Sequence, residues 1–226
     1  MIPYVNRRQI AELDRLMVEH FKVSVEMMME HAGYRIAEFI RKKFPGKKRV
    51  LICVGKGNNG GDGISAARHL RNFGYEPVLF LMSPDLTREG LSHLEIARIL
   101  KVPELTSVEM LKHEIRKADV IIDCLIGYNL KGAPRKDFVG VIKLINQSSK
   151  PIVACDVPSG IDTDKGAVHD TYVKATHIIF LSLPKIGCKD FPAEKFVADI
   201  GVPKELYSKI GVKPANYFRK SAIIKI

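Results

Sequence analysis

Apolar positions follow two rhythms along this chain, helical at the start and strand-like further on. Across residues 6–21, Ile10, Leu13, Leu16 and Met17 share one helical face, and Asn6 is placed to cap the first turn. Ser24 caps a second segment, whose stripe is Val25, Met28, Met29, Ala32, Ile36 and Ile40. Its methionines read as packing residues. After Pro45-Gly46 the pattern turns to short, wholly apolar runs at 50–54, 77–82, 120–125, 151–155 and 178–183. Such runs are expected of strands covered on both faces of a parallel sheet. Helical patterns separate them at 64–73, 91–100, 108–117 (capped by Ser107) and 138–145. Pro103-Glu104-Leu105 fits a short edge strand, and residues 196–200 a final one. Alternating strands and helices predict an α/β fold with a mainly parallel sheet behind two N-terminal helices.

Composition narrows the class. The 226 residues, 46% hydrophobic, suit one domain spanning 1–226 with a single core. No apolar run approaches the roughly 18 residues that cross a bilayer. The N-terminus has no apolar secretory core, so a cytoplasmic protein is expected. Cys53, Cys124, Cys155 and Cys188 form no C-x-x-C pair, and three lie in apolar runs, as buried free thiols would. The seven histidines show no ligand spacing. The net charge of +11 favours anionic ligands. No basic run is interleaved with aromatics, however, so a solvated basic surface is expected rather than a nucleic-acid interface.

In open parallel sheets ligands bind beyond the carboxyl ends of the strands, which makes the residues following each apolar run the candidates. The first run leads into Gly55-Lys56-Gly57-Asn58-Asn59-Gly60-Gly61-Asp62-Gly63. Its glycines are expected to permit positive φ and close approach of a ligand, and the helix that follows favours an anion at its amides. No Lys-Ser/Thr pair follows, so it is not a P-loop. The run at 120–125 carries Asp123, an acid that is costly there unless it binds a cation or accepts hydrogen bonds. Gly127-Tyr128-Asn129-Leu130-Lys131-Gly132-Ala133 follows it. The run at 151–155 leads into Asp156-Val157-Pro158-Ser159. Asn59, Asp123 and Ser159 could surround one hard cation, and a single carboxylate suits a monovalent ion.

These residues resemble the NAD(P)H-hydrate epimerase family, also called the YjeF N-terminal-domain family. The resemblance rests on Asn58-Asn59-Gly60-Gly61-Asp62-Gly63 with Ala67-Arg68-His69-Leu70 behind it. It is joined by Met29-Glu30-His31-Ala32-Gly33, residues 123–131, Asp156-Val157-Pro158-Ser159-Gly160, Leu183-Pro184-Lys185-Ile186-Gly187 and Asp199-Ile200-Gly201-Val202-Pro203. This chain departs from the family pattern at His31, where many members have Asn, and at Gly127-Tyr128-Asn129, where many have Gly-Thr-Gly.

The resemblance implies a Rossmann-like three-layer α/β/α sandwich and a hydrated NADH or NADPH (NADHX or NADPHX) as substrate. It implies a potassium ion on Asn59, Asp123 and Ser159. Dinucleotide contacts would come from Asn58, Asn59, Gly60, Gly61, Asp62, Asp156 and the loop from Gly127 to Ala133. It also implies a partner dehydratase on a separate chain, since 226 residues leave no room for a fused one. Strand order 3-2-1-4-5 would bring the three loops together. Asp123 and Asp156 are the candidate acid/base groups with Lys131 as charge partner or proton donor, and Asp123 is preferred for its apolar surroundings. The rivals are an NAD(P)-dependent oxidoreductase using Gly55, Gly57 and Gly60 with Asp85 on the ribose, and a non-catalytic nucleotide- or RNA-binding scaffold. The amphipathic N-terminal helices could serve a homodimer interface or the core.

Overall fold

The computed structural model describes residues 2–226. Two helices come first, α1 (Arg7–Glu19) and α2 (Val25–Lys43). The Asn6 side chain accepts from the Gln9 amide while Gln9 reaches back to the Asn6 amide, a capping box, and Ser24 caps α2 through the Met27 amide. Then follow β1 (Arg49–Val54), α3 (Asn58–Asn72), β2 (Glu76–Leu81), α4 (Arg88–Ile99), β3 (Glu104–Leu105) and α5 (Val108–Lys117). The chain continues through β4 (Val120–Cys124), α6 (Lys136–Asn146), β5 (Ile152–Cys155), β6 (His177–Leu181), β7 (Glu194–Ala198), α7 (Lys204–Lys209) and β8 (Ile223–Lys225).

The strands form one sheet in the order β3-β2-β1-β4-β5-β6-β7-β8, parallel except for β8. Successive residues point to opposite faces. In β1, Leu51 and Cys53 join a core shared with α1, α5, α6 and α7, while Val50, Ile52 and Val54 join one shared with α2, α3 and α4. Three layers result, as expected. Residue 53 pairs with Asp123, so β4 lies beside β1 and the chain reverses direction across the sheet between them. The N-terminal helices contribute Ile10, Leu13, Met17, Ile36 and Ile40 to these cores. The short α7 and β8 had no sequence signal, because six and three residues carry too little periodicity.

The glycine segment corrects an expectation. Helix α3 starts at Asn58, six residues earlier than the apolar pattern implied, so Gly60, Gly61 and Gly63 are helical. None of the glycines from Gly55 to Gly63 has positive φ. They are needed for proximity instead. A Cβ on Gly55 would overlap the Leu125 carbonyl, and one on Gly60 the Gly55 carbonyl. One on Gly63 would lie 2.7 Å from Cys124 Sγ. On the outer side Gly61 abuts Met29, and Gly33 of α2 abuts Ser65. Each glycine costs about 1 kcal/mol of helix propensity, and seating α3 directly on the ends of β1 and β4 outweighs it.

Two helical glycines should therefore respond oppositely to alanine. Gly60→Ala should lower unfolding free energy by about 1–3 kcal/mol through overpacking. Gly140→Ala, in α6 with nothing within 4 Å of the new Cβ, should raise it by about 0.5–1 kcal/mol. Urea unfolding of both variants checks the signs.

Candidate functional site

A cavity of about 640 Å³ opens beyond the carboxyl ends of β1, β4, β5 and β6, with α1 and α2 forming its other wall. That volume lies in the range of small-molecule sites, roughly 300–1,000 Å³. At one end stands the start of α3. Its Gly57 cap offers no side chain, and the Asn58 and Asn59 amides precede the first helical bond, Gly60 to the Gly57 carbonyl at 3.0 Å. Two free amides at the positive end of a 15-residue helix make an anion seat.

Asp123 lies outside the cavity wall. It is fully buried, and its carboxylate accepts from the Ser159 hydroxyl at 2.6 Å, the Ser159 amide at 2.8 Å and the Leu125 amide at 3.2 Å. Burial pushes its pKa up to about 6, against the pull of those three hydrogen bonds. The Ser159 hydroxyl also accepts from the Ile126 amide at 2.8 Å. Gly127 packs against Asn59, where an added Cβ would lie 3.1 Å from the Asn59 Cβ. The backbone from Leu125 to Gly127 thus touches all three residues expected to hold a cation. The Asn59 side-chain nitrogen is buried without a partner.

Asp156 does line the cavity. It sits at φ 67°, a left-handed conformation that costs an L residue about 1–3 kcal/mol, in the turn that ends β5. The Lys185 ammonium and the Leu181 amide (3.0 Å) both donate to its Oδ1. Asp62 faces the same space with no hydrogen-bond partner among the described residues. Burial first, then the nearby Asp156 and Asp14 carboxylates, push its pKa well up, while Lys185 opposes them. Asp14 of α1 completes the group, accepting from the Tyr128 hydroxyl at 2.6 Å, and its pKa is also raised by burial.

The loop after β4 forms the mouth. Tyr128, Asn129, Leu130, Lys131 and Ala133 line it, with Lys131 exposed at the rim. Gly60, Gly61 and Gly132 are not on the wall. Asp85 is exposed and also off the wall, which removes the ribose partner assumed for the oxidoreductase reading. Two wall residues bonded to other groups of the site, Lys185 and Asp14, carry no assigned role in the sequence. Lys185 follows the apolar run at 178–183, so the strand-end rule extended one run further would have found it. Asp14 looked like any polar residue on an amphipathic helix, and only the fold brings it to Tyr128.

A raised carboxylate pKa has a stability consequence. Asp62 titrates from 3.8 upward in the unfolded chain but only at higher pH in the folded one. Above pH 3.8 the unfolded state therefore binds fewer protons at this position, and the residue increasingly disfavours folding until its folded-state pKa is passed. Asp62→Asn cannot titrate, so its stability relative to the unmodified protein should improve from pH 4 to pH 8. Urea titrations across that range showing a constant difference would contradict this.

Known proteins share this arrangement of sequence and fold. The family model described as YjeF-related protein N-terminus matches residues 25–187. The NAD(P)H-hydrate epimerase of Entamoeba histolytica is 35% identical over 229 aligned residues, covering 99% of both chains. The bifunctional NAD(P)H-hydrate repair enzyme Nnr of Moorella thermoacetica is 34% identical over 217 residues, covering 89% of this chain and 41% of its own length. The crystal structure of yeast ynu0 superimposes with a TM-score of 0.90 at 29% identity, covering 100% of each chain. This chain belongs to the YjeF-related N-terminal-domain family.

Proposed function

We propose that the cavity binds hydrated NADH or NADPH and that the protein interconverts its R and S forms, as an NAD(P)H-hydrate epimerase. The observation that carries this reading is the presence of two acids in unlike settings within one cavity. Asp62 has no hydrogen-bond partner among the described residues and burial raises its pKa, while Asp156 is ion-paired to Lys185. The Entamoeba histolytica relative of matching length, an NAD(P)H-hydrate epimerase by name, supports the same activity.

The hydrated ring carbon is a hemiaminal, bearing a hydroxyl and the ring nitrogen. Asp62, holding its proton, protonates that hydroxyl. The carbon–oxygen bond breaks with its electron pair on the departing water, and the nitrogen lone pair forms a carbon–nitrogen double bond. Water then adds to the other face and gives a proton to Asp156, and exchange of that proton through solvent back to Asp62 restores the starting state. A buried acid with a raised pKa suits the first role, and an ion-paired carboxylate open to the cavity suits the second. The diphosphate rests at the Asn58 and Asn59 amides, and the Lys131 charge at the rim complements it. The first expectation made Asp123 the acid/base. Because its carboxylate accepts three hydrogen bonds and lies off the wall, we read Asp123 as an anchor of the site and Asp62 and Asp156 as its acid and base.

Asn59, Asp123 and Ser159 suit a potassium ion. Their side chains carry oxygens, Asp123 has no cationic side chain beside it among the described residues, and Asn59 packs against Gly127 of the backbone that binds the other two. Potassium there would supply the positive charge that balances a fully buried carboxylate. A dehydratase on a separate chain would consume the epimerised product. Among the described residues no helix is long and apolar enough to cross a membrane, which is compatible with a cytoplasmic site of action.

Three assays follow. The purified protein should equilibrate separated R and S hydrates, resolved by chromatography. Asp156→Asn should be slower by about 10²-fold or more, and turnover at the unmodified rate would refute its role. Exchanging potassium for tetramethylammonium should lower both rate and melting temperature, and Asp123→Asn should abolish that response. A response retained in Asp123→Asn would place the ion elsewhere.

A further inference from the structure

Lys185 is the most deeply buried cation of the protein, 1% exposed, and it lies on the cavity wall. A buried ammonium must be paired and hydrogen-bonded to be tolerated. Two of its three protons are placed, on Asp156 Oδ1 and on the Leu181 carbonyl at 3.0 Å. The backbone around it is fixed from outside the sheet. The Val5 amide donates to the Pro184 carbonyl at 2.8 Å, and the Ile186 amide to the Val5 carbonyl at 2.9 Å, so the N-terminal segment pairs with residue 185. Asp156 at φ 67° and Ser182 at φ 66° take the left-handed conformation just after the ends of β5 and β6. The ion pair thus sits between two strained strand ends, with a third chain segment paired beside Lys185.

The pair is asymmetric. Every protein donor to the Asp156 carboxylate, the Leu181 amide and Lys185, meets Oδ1. No donor among the described residues meets Oδ2. A buried ion pair built for stability alone gains from donors on both oxygens, as the carboxylate of Asp123 on the neighbouring strand has. Asp156 instead keeps one oxygen for the cavity.

We propose that Lys185 is the positioning residue of this site: by pinning Asp156 through Oδ1 it leaves Oδ2 to take the proton of the water that adds to the reacting ring carbon. The inference rests on the epimerase reading and adds a residue outside the expected set. Lys185 acts through Asp156, so loss of either should cost the same step.

The test is kinetic. Lys185→Ala should lower kcat by about 10²-fold with KM within about threefold, the pattern of an interaction made in the transition state. Ethylammonium chloride, which fits the space vacated by the side chain, should restore at least about tenfold of the rate in a saturable manner, whereas ethanol should not. Lys185→Ala leaves a buried carboxylate unpaired and can fail to fold. The neutral pair Asp156→Asn with Lys185→Met removes both charges and should be no more than about twofold slower than Asp156→Asn alone. Additive losses, or an active Lys185→Ala that ignores the amine, would overturn the role of Lys185 while leaving the epimerase reading intact. Absence of R/S interconversion by the unmodified protein would overturn both.

Discussion

A carboxylate without solvent contact joins the ends of the two central strands. Asp123 stands at the end of β4 and binds Ser159 through both hydroxyl and amide, so the turn after β5 is tied to β4. The Leu125 amide folds back on the same carboxylate, and the Ile126 amide on Ser159. That knot sets the path of residues 125–127, against which Gly55 and Asn59 pack. Asp156 lies three residues before Ser159 and inherits its position from the same turn. Much of the cavity wall is therefore hung from a group that is not itself on the wall. An apolar replacement would remove the desolvation cost but release three donors, and unpaired buried donors are expensive.

Around that anchor the site divides its labour by environment. The start of α3 offers uncommitted amides to an anion, and it reaches the strand ends because glycine lets helix and strand touch. Three acids, Asp14, Asp62 and Asp156, face one space with Lys185 as the buried cation among them. Their partners differ: a tyrosine hydroxyl for Asp14, an ammonium for Asp156, none for Asp62. Unlike partners give chemically identical groups different surroundings, and burial raises the pKa of Asp62 and of Asp14.

Much of this was legible in the sequence because parallel sheets leave a strong signal. Five apolar runs marked buried strands, and the residues after them led to Asn59, Asp156 and the loop from Gly127. The glycines showed that something approaches closely there. They did not show that the visitor is the protein itself, since close packing of Gly60 and close approach of a ligand demand the same missing side chain. Asp123 drew attention for its apolar surroundings, but its hydrogen bonds depend on Ser159, 36 residues away. Lys185 and Asp14 were not found. A lysine is usually solvated, and only the pairing of Val5 with residue 185 and the packing of α1 under Tyr128 turn these two side chains inward.

A crystal structure with hydrated NADH or an inert analogue of it bound tests the account most directly. The predicted result places the hydrated ring carbon against Asp156 Oδ2 and Asp62, the diphosphate at the Asn58 and Asn59 amides, and Asp123 still bonded to Ser159 below. A ring contacting Asp123, or a diphosphate away from the start of α3, would contradict it.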